Sequence, residues 1–325
     1  MTGSYNVEPI DLSELKTITL VERGGKVSES DFAHPFIAGE GIAGFLDSLP
    51  RILAADTLRA VANAIAVARE KQKPIVWGMG GHVIKCGLAP VLIDLMDRGF
   101  ATAFAMNGSA SIHDLEIALA GQTSEDVEAV LPDGRFGAAE ETGREWNGAL
   151  VAAVRETWGA GEALGRRLDK IAPPEHARES VLYRAWQKRV PVTVHFAIGT
   201  DTPHTHPAVD AAALGITTHR DFRLFCSLVA ALDGGGVYIN AGSAVVMPEV
   251  FLKALSCVRN LGHEVRDFVT VNLDFLQHYR PRVNVVERPH AQAGGRQAGG
   301  KGYALTGHHE IMIPLLAAIL IEKAA

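Results

Sequence analysis

Histidine and aspartate side chains are concentrated in one short segment, residues 195–206, which reads HFAIGTDTPHTH. Asp201, His204 and His206 could exchange protons with a substrate, because imidazole titrates near neutral pH and a carboxylate can act as a base. His204 and His206, in an extended H-x-H arrangement, could instead bind a divalent metal from one side, with Asp201 nearby. A polar loop whose histidines cap helices or face water is the third interpretation, and all three stay open here.

Four short turns carry small residues at points where an apolar run gives way to a helical pattern. They lie at 78–82, 107–109, 199–201 and 241–243. Backbone N–H groups that remain free at such turns can bind an anion. Together the four turns indicate a dinucleotide or another phosphate-bearing ligand, although Val83 stands where a third glycine would complete G-x-G-x-x-G.

Polar residues also begin two of the predicted helices. His308, His309 and Glu310 follow Gly307 at the start of the last helix, where their side chains could reach the strand ends or simply cap the helix. His113 and Asp114 lie in the first turn of another helix, where an acidic residue interacts favourably with the helix dipole. Cys86, Cys226 and Cys257 fall inside apolar helical patterns, which predicts buried packing residues rather than nucleophiles.

Five apolar runs without polar alternation are predicted to be the strands that position these turns, and each run is followed by a helical pattern. The strands are expected at 74–79, 101–106, 190–198, 236–241 and 267–273. Such a sequence predicts an α/β fold, a Rossmann-like parallel sheet with helices on both faces. In a sheet of this kind, ligands bind beyond the carboxyl ends of the strands.

The helical patterns between these runs have recognisable beginnings and interruptions. Asp56 is expected to cap a helix over 57–72, and a helix over 82–99 is expected to bend near Pro90. No Pro-, Gly- or Ser-rich linker divides the middle of the chain. We therefore predict a single domain over 1–325, with an N-terminal extension at 1–55 and a mobile loop at 287–303.

The composition excludes several classes of protein. The chain has 325 residues, 47% of them hydrophobic and 21% charged, and a net charge of −6, which argues against a disordered chain and against nucleic-acid binding. The longest apolar stretch, 311–321, is too short to span a membrane. No signal-peptide pattern and no cysteine framework are visible, so a cytoplasmic protein without a membrane partner is expected.

Several of these segments, in the same order, resemble deoxyhypusine synthase. GMGGHVIKCGLAPVLIDLMDRG (78–99) is similar to the first NAD-binding segment of that family, and AMNGSASIHDLEIAL (105–119) to its glycine turn and acidic helix. ESVLYRAWQKRVPVTVHFAIGTD (179–201) is the most similar stretch. YINAGSAVVMPEVFL (238–252) and GHHEIMIPLLAA (307–318) resemble its later turns, so the resemblance extends from about residue 55 to the C-terminus.

The resemblance implies a deoxyhypusine synthase-like fold, an NAD cofactor and a homo-oligomer, either a dimer or a tetramer. By position it implies that Asp201, His204 and His206, with Thr200, face the substrate. It also implies that the following residues surround the dinucleotide: Gly80, Gly81, His82, Asn107, Gly108, Ser109, Asp114, Gly242, Ser243 and His308.

One departure from the family changes the expected chemistry. The catalytic lysine motif has no match, and Arg288 stands near the lysine position. Arginine stays protonated and cannot form an imine, so an aminobutyl transfer is not expected. Histidines replace several acidic residues, and imidazole is a poor partner for ammonium groups, so the expected substrate is a small molecule other than a polyamine. A metal-dependent hydrolase or lyase built on His204 and His206, and a non-catalytic ligand-binding protein, are the alternatives.

Overall fold

A computed structural model of the chain describes residues 6–291 and 299–324. Its centre is a six-stranded sheet in which every neighbouring pair is parallel. The strands are β1 (Ile75–Met79), β2 (Ala103–Asn107), β3 (Val192–His195), β4 (Gly236–Ala241), β5 (Phe268–Asp274) and β6 (Lys301–Thr306). The five predicted strands and the Rossmann-like α/β fold are confirmed.

The strand order is β3-β2-β1-β4-β5-β6. This is the order of a doubly wound dinucleotide-binding sheet, in which the chain leaves β1 toward one edge and later returns to build the other. The connections therefore diverge between β1 and β4, and a crevice opens at the carboxyl ends of these two strands. Sheets of this order bind their ligands at such a crevice, which here lies beyond the register partners Met79 and Ala241.

Helices cover both faces of the sheet, and alternate residues of β1 show this directly. Ile75, Trp77 and Met79 belong to one buried cluster, whereas Val76 between them belongs to a second cluster. Because successive side chains of a strand point to opposite faces, each cluster is the core of one layer. Strands buried on both faces need no polar alternation, which explains the continuous apolar runs in the sequence.

The helices have the following bounds: α1 Leu20–Arg23, α2 Gly41–Ser48, α3 Leu53–Glu70, α4 Gly81–Lys85, α5 Ala89–Asp97, α6 Gly108–Ala120, α7 Val127–Val130, α8 Glu140–Glu156, α9 Ala160–Ile171, α10 Pro174–Ala177, α11 Val181–Lys188, α12 Ala211–Ala230, α13 Val246–Asn260, α14 Tyr279–Pro281 and α15 His309–Ala324. The layer of α12 and α13 covers one face of the sheet, and α3, α5 and α15 contribute to the core on the other.

Two helix predictions need correction. Asp56 does not cap α3, because the helix already begins at Leu53 and Asp56 lies in its first turn. The predicted helix over 82–99 is two helices, α4 and α5, because Gly87 adopts a left-handed backbone angle of +73° and Pro90 lies in the first turn of the second helix.

The structure also differs from the predicted loop at 287–303, because both ends of that segment have regular structure. A π-helical turn at Arg282–Glu287 and a 3₁₀ turn at Arg288–His290 continue α14, and Lys301–Tyr303 are already in strand β6. The prediction of mobility at 292–298 lies outside the described residues. Lys301 pairs with Val269 at the start of both strands, at the sheet edge opposite the strand ends that form the crevice.

The N-terminal extension exposes many large apolar side chains. Val7, Ile10, Leu15, Ile18 and Val21 are each at least two-thirds exposed, and the first buried side chain of the extension is Leu46 in α2. Little of this segment is therefore covered by its own chain. Among residues 6–291 and 299–324, no helix combines the length and the apolar character that crossing a bilayer requires.

Candidate functional site

Two glycine turns meet at the crevice between β1 and β4. The Gly80 N–H donates a hydrogen bond to the Ala241 carbonyl over 3.0 Å, and a Cβ atom on Gly80 would lie 2.1 Å from the carbonyl oxygen of Gly242. Gly242 has a φ of +64°, which a residue with a side chain rarely adopts. Bare backbone therefore lines this crevice because no side chain fits at either position.

The turn after β2 lies beside the turn after β1. A Cβ atom on Gly81 would lie 2.2 Å from the Ser109 hydroxyl oxygen, so these two residues are in direct contact. Asn107 caps α6, since its side-chain oxygen accepts a hydrogen bond from the Ala110 N–H over 2.9 Å. The structure thus brings together the first, second and fourth predicted turns.

The turn after β4 is held by buried polar groups, of which the sequence analysis singled out Ser243 but not Asn240 or Asn272. Ser243 is buried, and its hydroxyl accepts a hydrogen bond from the Met247 N–H at the start of α13. The Asn240 amide donates to the Ser243 carbonyl and to the side chain of Asn272, its register partner on β5. The Asn240 side-chain oxygen is buried without a hydrogen-bond partner among the described residues. The sequence signal that could have identified this group is Asn240 itself, a polar residue in an otherwise apolar strand.

The side chain of Asp201 lies against Gly108, the first residue of helix α6. A Cβ atom on Gly108 would lie 2.1 Å from one carboxylate oxygen of Asp201, and that oxygen accepts a hydrogen bond from the Ala197 N–H over 3.3 Å. Burial raises the pKa of Asp201 to about 6, and the hydrogen bond only partly opposes this. The carboxylate covers one side of Gly108, and contact of Gly108 with a dinucleotide stays a prediction.

His204 faces Asp201 from a buried position. Its Nδ1 accepts a hydrogen bond from the Gly199 N–H over 3.3 Å, and its Nε2 lies 3.8 Å from a carboxylate oxygen of Asp201. Burial between the rings of Trp146 and Phe196 lowers the pKa of His204. The hydrogen bond at Nδ1 assigns the proton of the neutral imidazole to Nε2, which points it toward the carboxylate.

His206 is directed away from this pair. Its Nε2 is 3.1 Å from the Glu140 carboxylate, its Nδ1 accepts from the Ala208 N–H, and its ring packs on Gly143 of α8. The segment Thr202–Thr205 is a 3₁₀ turn rather than a strand, so residues two apart do not share a face. His206 therefore packs against α8, and the alternative of an H-x-H metal site with His204 is not supported by the structure.

Asp114 is likewise a structural residue. Its buried carboxylate accepts hydrogen bonds from the Ser180 hydroxyl and from the N–H groups of Val181 and Leu182, where α11 begins. All of these partners are protein groups, and burial raises the pKa of Asp114 to about 6. The predicted contact between Asp114 and a dinucleotide is corrected to a cap of helix α11.

Three histidines gather around Phe275 at the other side of the crevice. His309 is fully buried, with Nε2 3.2 Å from the Leu273 carbonyl, and its ring packs edge-on against the ring of His82 at 5.5 Å. The exposed His308 stacks on Phe275 with an interplanar angle of 7°. Asp274, which ends β5, lies 3.7 Å from His309. The sequence did not identify Asp274 or Phe275, although both follow the fifth predicted strand directly.

The titration of Asp201 should be visible in the stability of the protein. Its pKa is about 6 in the folded chain against a reference value of 3.8, so the folded state holds the proton more tightly. The contribution of Asp201 is then fully present below the reference value and is lost as the pH rises through 6. Relative to the Asp201→Asn variant, the free energy of unfolding of the wild type should fall by about 2 kcal/mol between about pH 4 and about pH 7. Urea unfolding of both proteins measures this, and a difference independent of pH would contradict it.

Comparisons with known proteins address the fold. No family model and no curated protein matches the chain. Among solved structures, a conserved candidate LOR/SDH protein from Methanococcus maripaludis S2 superposes with a TM-score of 0.50 at 14% identity, covering 84% of this chain and 71% of that one. At this identity the likeness shows the fold alone.

Two further structures are similar at lower scores. A candidate deoxyhypusine synthase from Entamoeba histolytica has a TM-score of 0.48 at 12% identity, with 88% of this chain and 95% of that one covered. AgrE, in a complex with ornithine and NAD⁺, has a TM-score of 0.48 at 13% identity over 82% of this chain and 33% of its own. Both are similar to this chain at low sequence identity, and the sequence itself is divergent.

Proposed function

We propose that the protein is an enzyme that binds NAD or a related nucleotide at the carboxyl edge of the sheet and acts on a small substrate other than a polyamine. The observation that carries this proposal is the contact between the turns at Gly80 and Gly242, at the position where the strand order reverses. Sheets of this kind bind their ligands at this switch point, beyond the carboxyl ends of the strands, and the two turns are the backbone segments that lie there.

The residues in the turns after β1 and β4 fit such a cofactor. Gly80, Gly81 and Gly242 offer backbone without side chains, and the Ser109 hydroxyl lies against Gly81. The start of α6 fits less well, because the Asp201 carboxylate already interacts with the positive end of the helix and would repel a phosphate. The pyrophosphate would therefore bind between β1 and β4, and Asp201 would be left for the substrate.

Asp201 and His204 supply the proton chemistry in this proposal. NAD bound at this edge would supply hydride-acceptor chemistry, and oxidation of the substrate would also release a proton, which needs a base. Asp201, ionised above about pH 6, can accept that proton, and His204 can donate a hydrogen bond from Nε2 to orient the substrate. The aromatic rings of Trp146 and Phe196 help to exclude water from this pair.

A thermal-shift experiment tests the cofactor. NAD⁺ or NADH at about a hundred times its dissociation constant should stabilise the native protein by about 2.7 kcal/mol, a rise of several degrees in Tm. ATP and inorganic pyrophosphate serve as controls for simple anion binding. No shift with either dinucleotide at millimolar concentration would contradict the proposal. Binding without turnover of any substrate would instead favour the non-catalytic alternative.

We further propose that the chain forms a homo-oligomer. The support is the N-terminal extension, where side chains such as Val7, Ile10 and Val21 are largely exposed. Apolar side chains in this number are typical of a surface that another copy covers. Light scattering should give a mass of at least two chains for the full-length protein, and a smaller mass after deletion of residues 1–40. A monomeric full-length protein would contradict this proposal.

A further inference from the structure

We propose that His82, Cys86 and Glu310 form a binding site for a divalent transition metal of the zinc class. The site uses residues other than the His204 and His206 pair, and it does not depend on a bound nucleotide. Its ligand would be Zn²⁺ or an ion of similar preference, held by one imidazole nitrogen, one thiolate and one carboxylate.

The three ligand atoms already have the spacing of a metal site. The Nε2 atom of His82 is 3.2 Å from the Sγ atom of Cys86, and Sγ is 3.9 Å from an oxygen of Glu310. All three ligand atoms lie within 4.8 Å of one another. Tetrahedral zinc with bonds of about 2.3 Å to sulfur and about 2.0–2.1 Å to nitrogen and oxygen places its ligand atoms roughly 3.5 Å apart. An ion therefore fits among them after side-chain adjustments of up to about 1 Å.

The chain brings these ligands together from two distant elements. His82 and Cys86 are four residues apart at helix α4, so they share one face, and Gly87 then ends the helix with a left-handed angle of +73°. Glu310 comes from the first turn of α15, 224 residues later. Both helices follow a strand at the same edge of the sheet, which is why the sequence spacing did not reveal the site.

The ligand set selects the type of ion. Thiolate and imidazole favour zinc, cobalt and related transition metals, whereas magnesium and calcium prefer oxygen ligands only. A thiolate and a carboxylate together also balance the double positive charge.

Neighbouring side chains hold the ligands in place. The ring of His82 packs against the rings of His309 and Phe275, and His309 is anchored to the Leu273 carbonyl. The Nδ1 atom of His308 is 3.8 Å from the Glu310 oxygen that does not face Cys86. His308 is therefore a positioning residue for the carboxylate, since partners of this kind orient metal ligands.

Three protein ligands leave one coordination position open. His82 and Glu310 are exposed and Cys86 is half-buried, so this position faces solvent at the mouth of the crevice. Structural zinc sites use four protein ligands, whereas three ligands with an open position are typical of catalytic sites. The open position would take water or an oxygen atom of a small substrate, such as an alcohol or a carboxylate, and polarise it.

Cobalt substitution tests the site. The full-length protein is stripped with a chelator and titrated with Co²⁺, which should bind at one ion per chain and produce a thiolate-to-cobalt charge-transfer band in the near ultraviolet. Cys86→Ser should abolish the band, whereas Cys226→Ser, which removes another half-buried helix cysteine, should leave it unchanged. No band in the wild type, or a band that persists in Cys86→Ser, would overturn the proposal.

Affinity measurements separate ligands from positioning residues. Zn²⁺ competition should show at least a hundredfold loss of affinity for Glu310→Gln, and a loss of about 10- to 100-fold for His308→Ala, the range for a partner that only orients a ligand. Unchanged affinity in Glu310→Gln would overturn the assignment of that ligand. The NAD⁺ thermal shift is measured on the metal-free protein, so failure of the metal site and failure of the nucleotide proposal are distinguished.

Discussion

Replacing Gly80 with alanine is expected to lower the free energy of unfolding by about 3 kcal/mol, at the upper end of the cost of overpacking a close contact. The cause is steric and not conformational, since the residue does not have a positive φ. An added Cβ atom would lie 2.1 Å from the Gly242 oxygen and 2.9 Å from its carbonyl carbon. These are backbone atoms that cannot rotate away, so the turns after β1 and β4 must separate. Urea unfolding, followed by circular dichroism, measures the loss.

Gly148→Ala is the matched control for this substitution. Gly148 is an exposed residue inside α8, and an added Cβ atom would meet nothing within 4 Å. Alanine there should stabilise the protein by about 0.5–1 kcal/mol through helix propensity. If Gly80→Ala were as stable as the control, the two turns would not be in contact and the proposed crevice would be wrong.

Asp221→Ala is expected to cost about 4 kcal/mol, because it leaves buried N–H groups without an acceptor. One carboxylate oxygen of Asp221 accepts hydrogen bonds from Gly161 at the start of α9, over 2.9 Å, and from Val194 on β3, over 2.7 Å. Asp221 itself lies on α12 and is buried, which raises its pKa to about 7. A single side chain therefore ties two helices to the strand that precedes the Asp201 turn.

The control for this second prediction is Asp133→Ala. Asp133 pairs with Arg135 while both side chains are 65% exposed, and such a pair contributes within about 0.5 kcal/mol. Both variants are compared by urea unfolding at neutral pH. A cost below about 1 kcal/mol for Asp221→Ala would show that water replaces the carboxylate, and that this side chain does not hold β3 in place.

The parts of the fold that depend on local pattern could be predicted from the sequence. Continuous apolar runs such as 236–241 identified buried parallel strands, because both faces of the sheet are covered. Strand β6 was missed because most of its residues are exposed or half-buried, so Lys301–Thr306 lacks the apolar run. Its last residues nevertheless place the start of α15, with His309 and Glu310, at the carboxyl edge of the sheet.

The direction of each side chain could not be predicted in the same way. The glycine turns at Gly80 and Gly242 could be selected as candidate ligand-binding turns, because the rule that ligands bind at strand ends needs only the order of the elements. Asp114 was predicted to contact the dinucleotide, but its carboxylate accepts hydrogen bonds at the start of α11. His206 was predicted to face the substrate, but its ring lies against α8 and near Glu140. The contact between Cys86 and Glu310 could not be predicted for the same reason, because Glu310 lies in a distant helix.

Calorimetric titration of NAD⁺ into the metal-free protein tests the central claim most directly when the wild type is compared with Gly81→Ala. The added Cβ atom would lie 2.2 Å from the Ser109 hydroxyl, a side-chain atom that can rotate, so this variant should fold while the space between the turns after β1 and β2 narrows. We predict one site per chain in the wild type and in Gly148→Ala, with at least tenfold weaker binding in Gly81→Ala. Absence of binding in the wild type would contradict a nucleotide site at the crevice, and equal affinity in Gly81→Ala would contradict contact of the nucleotide with Gly81 and Ser109.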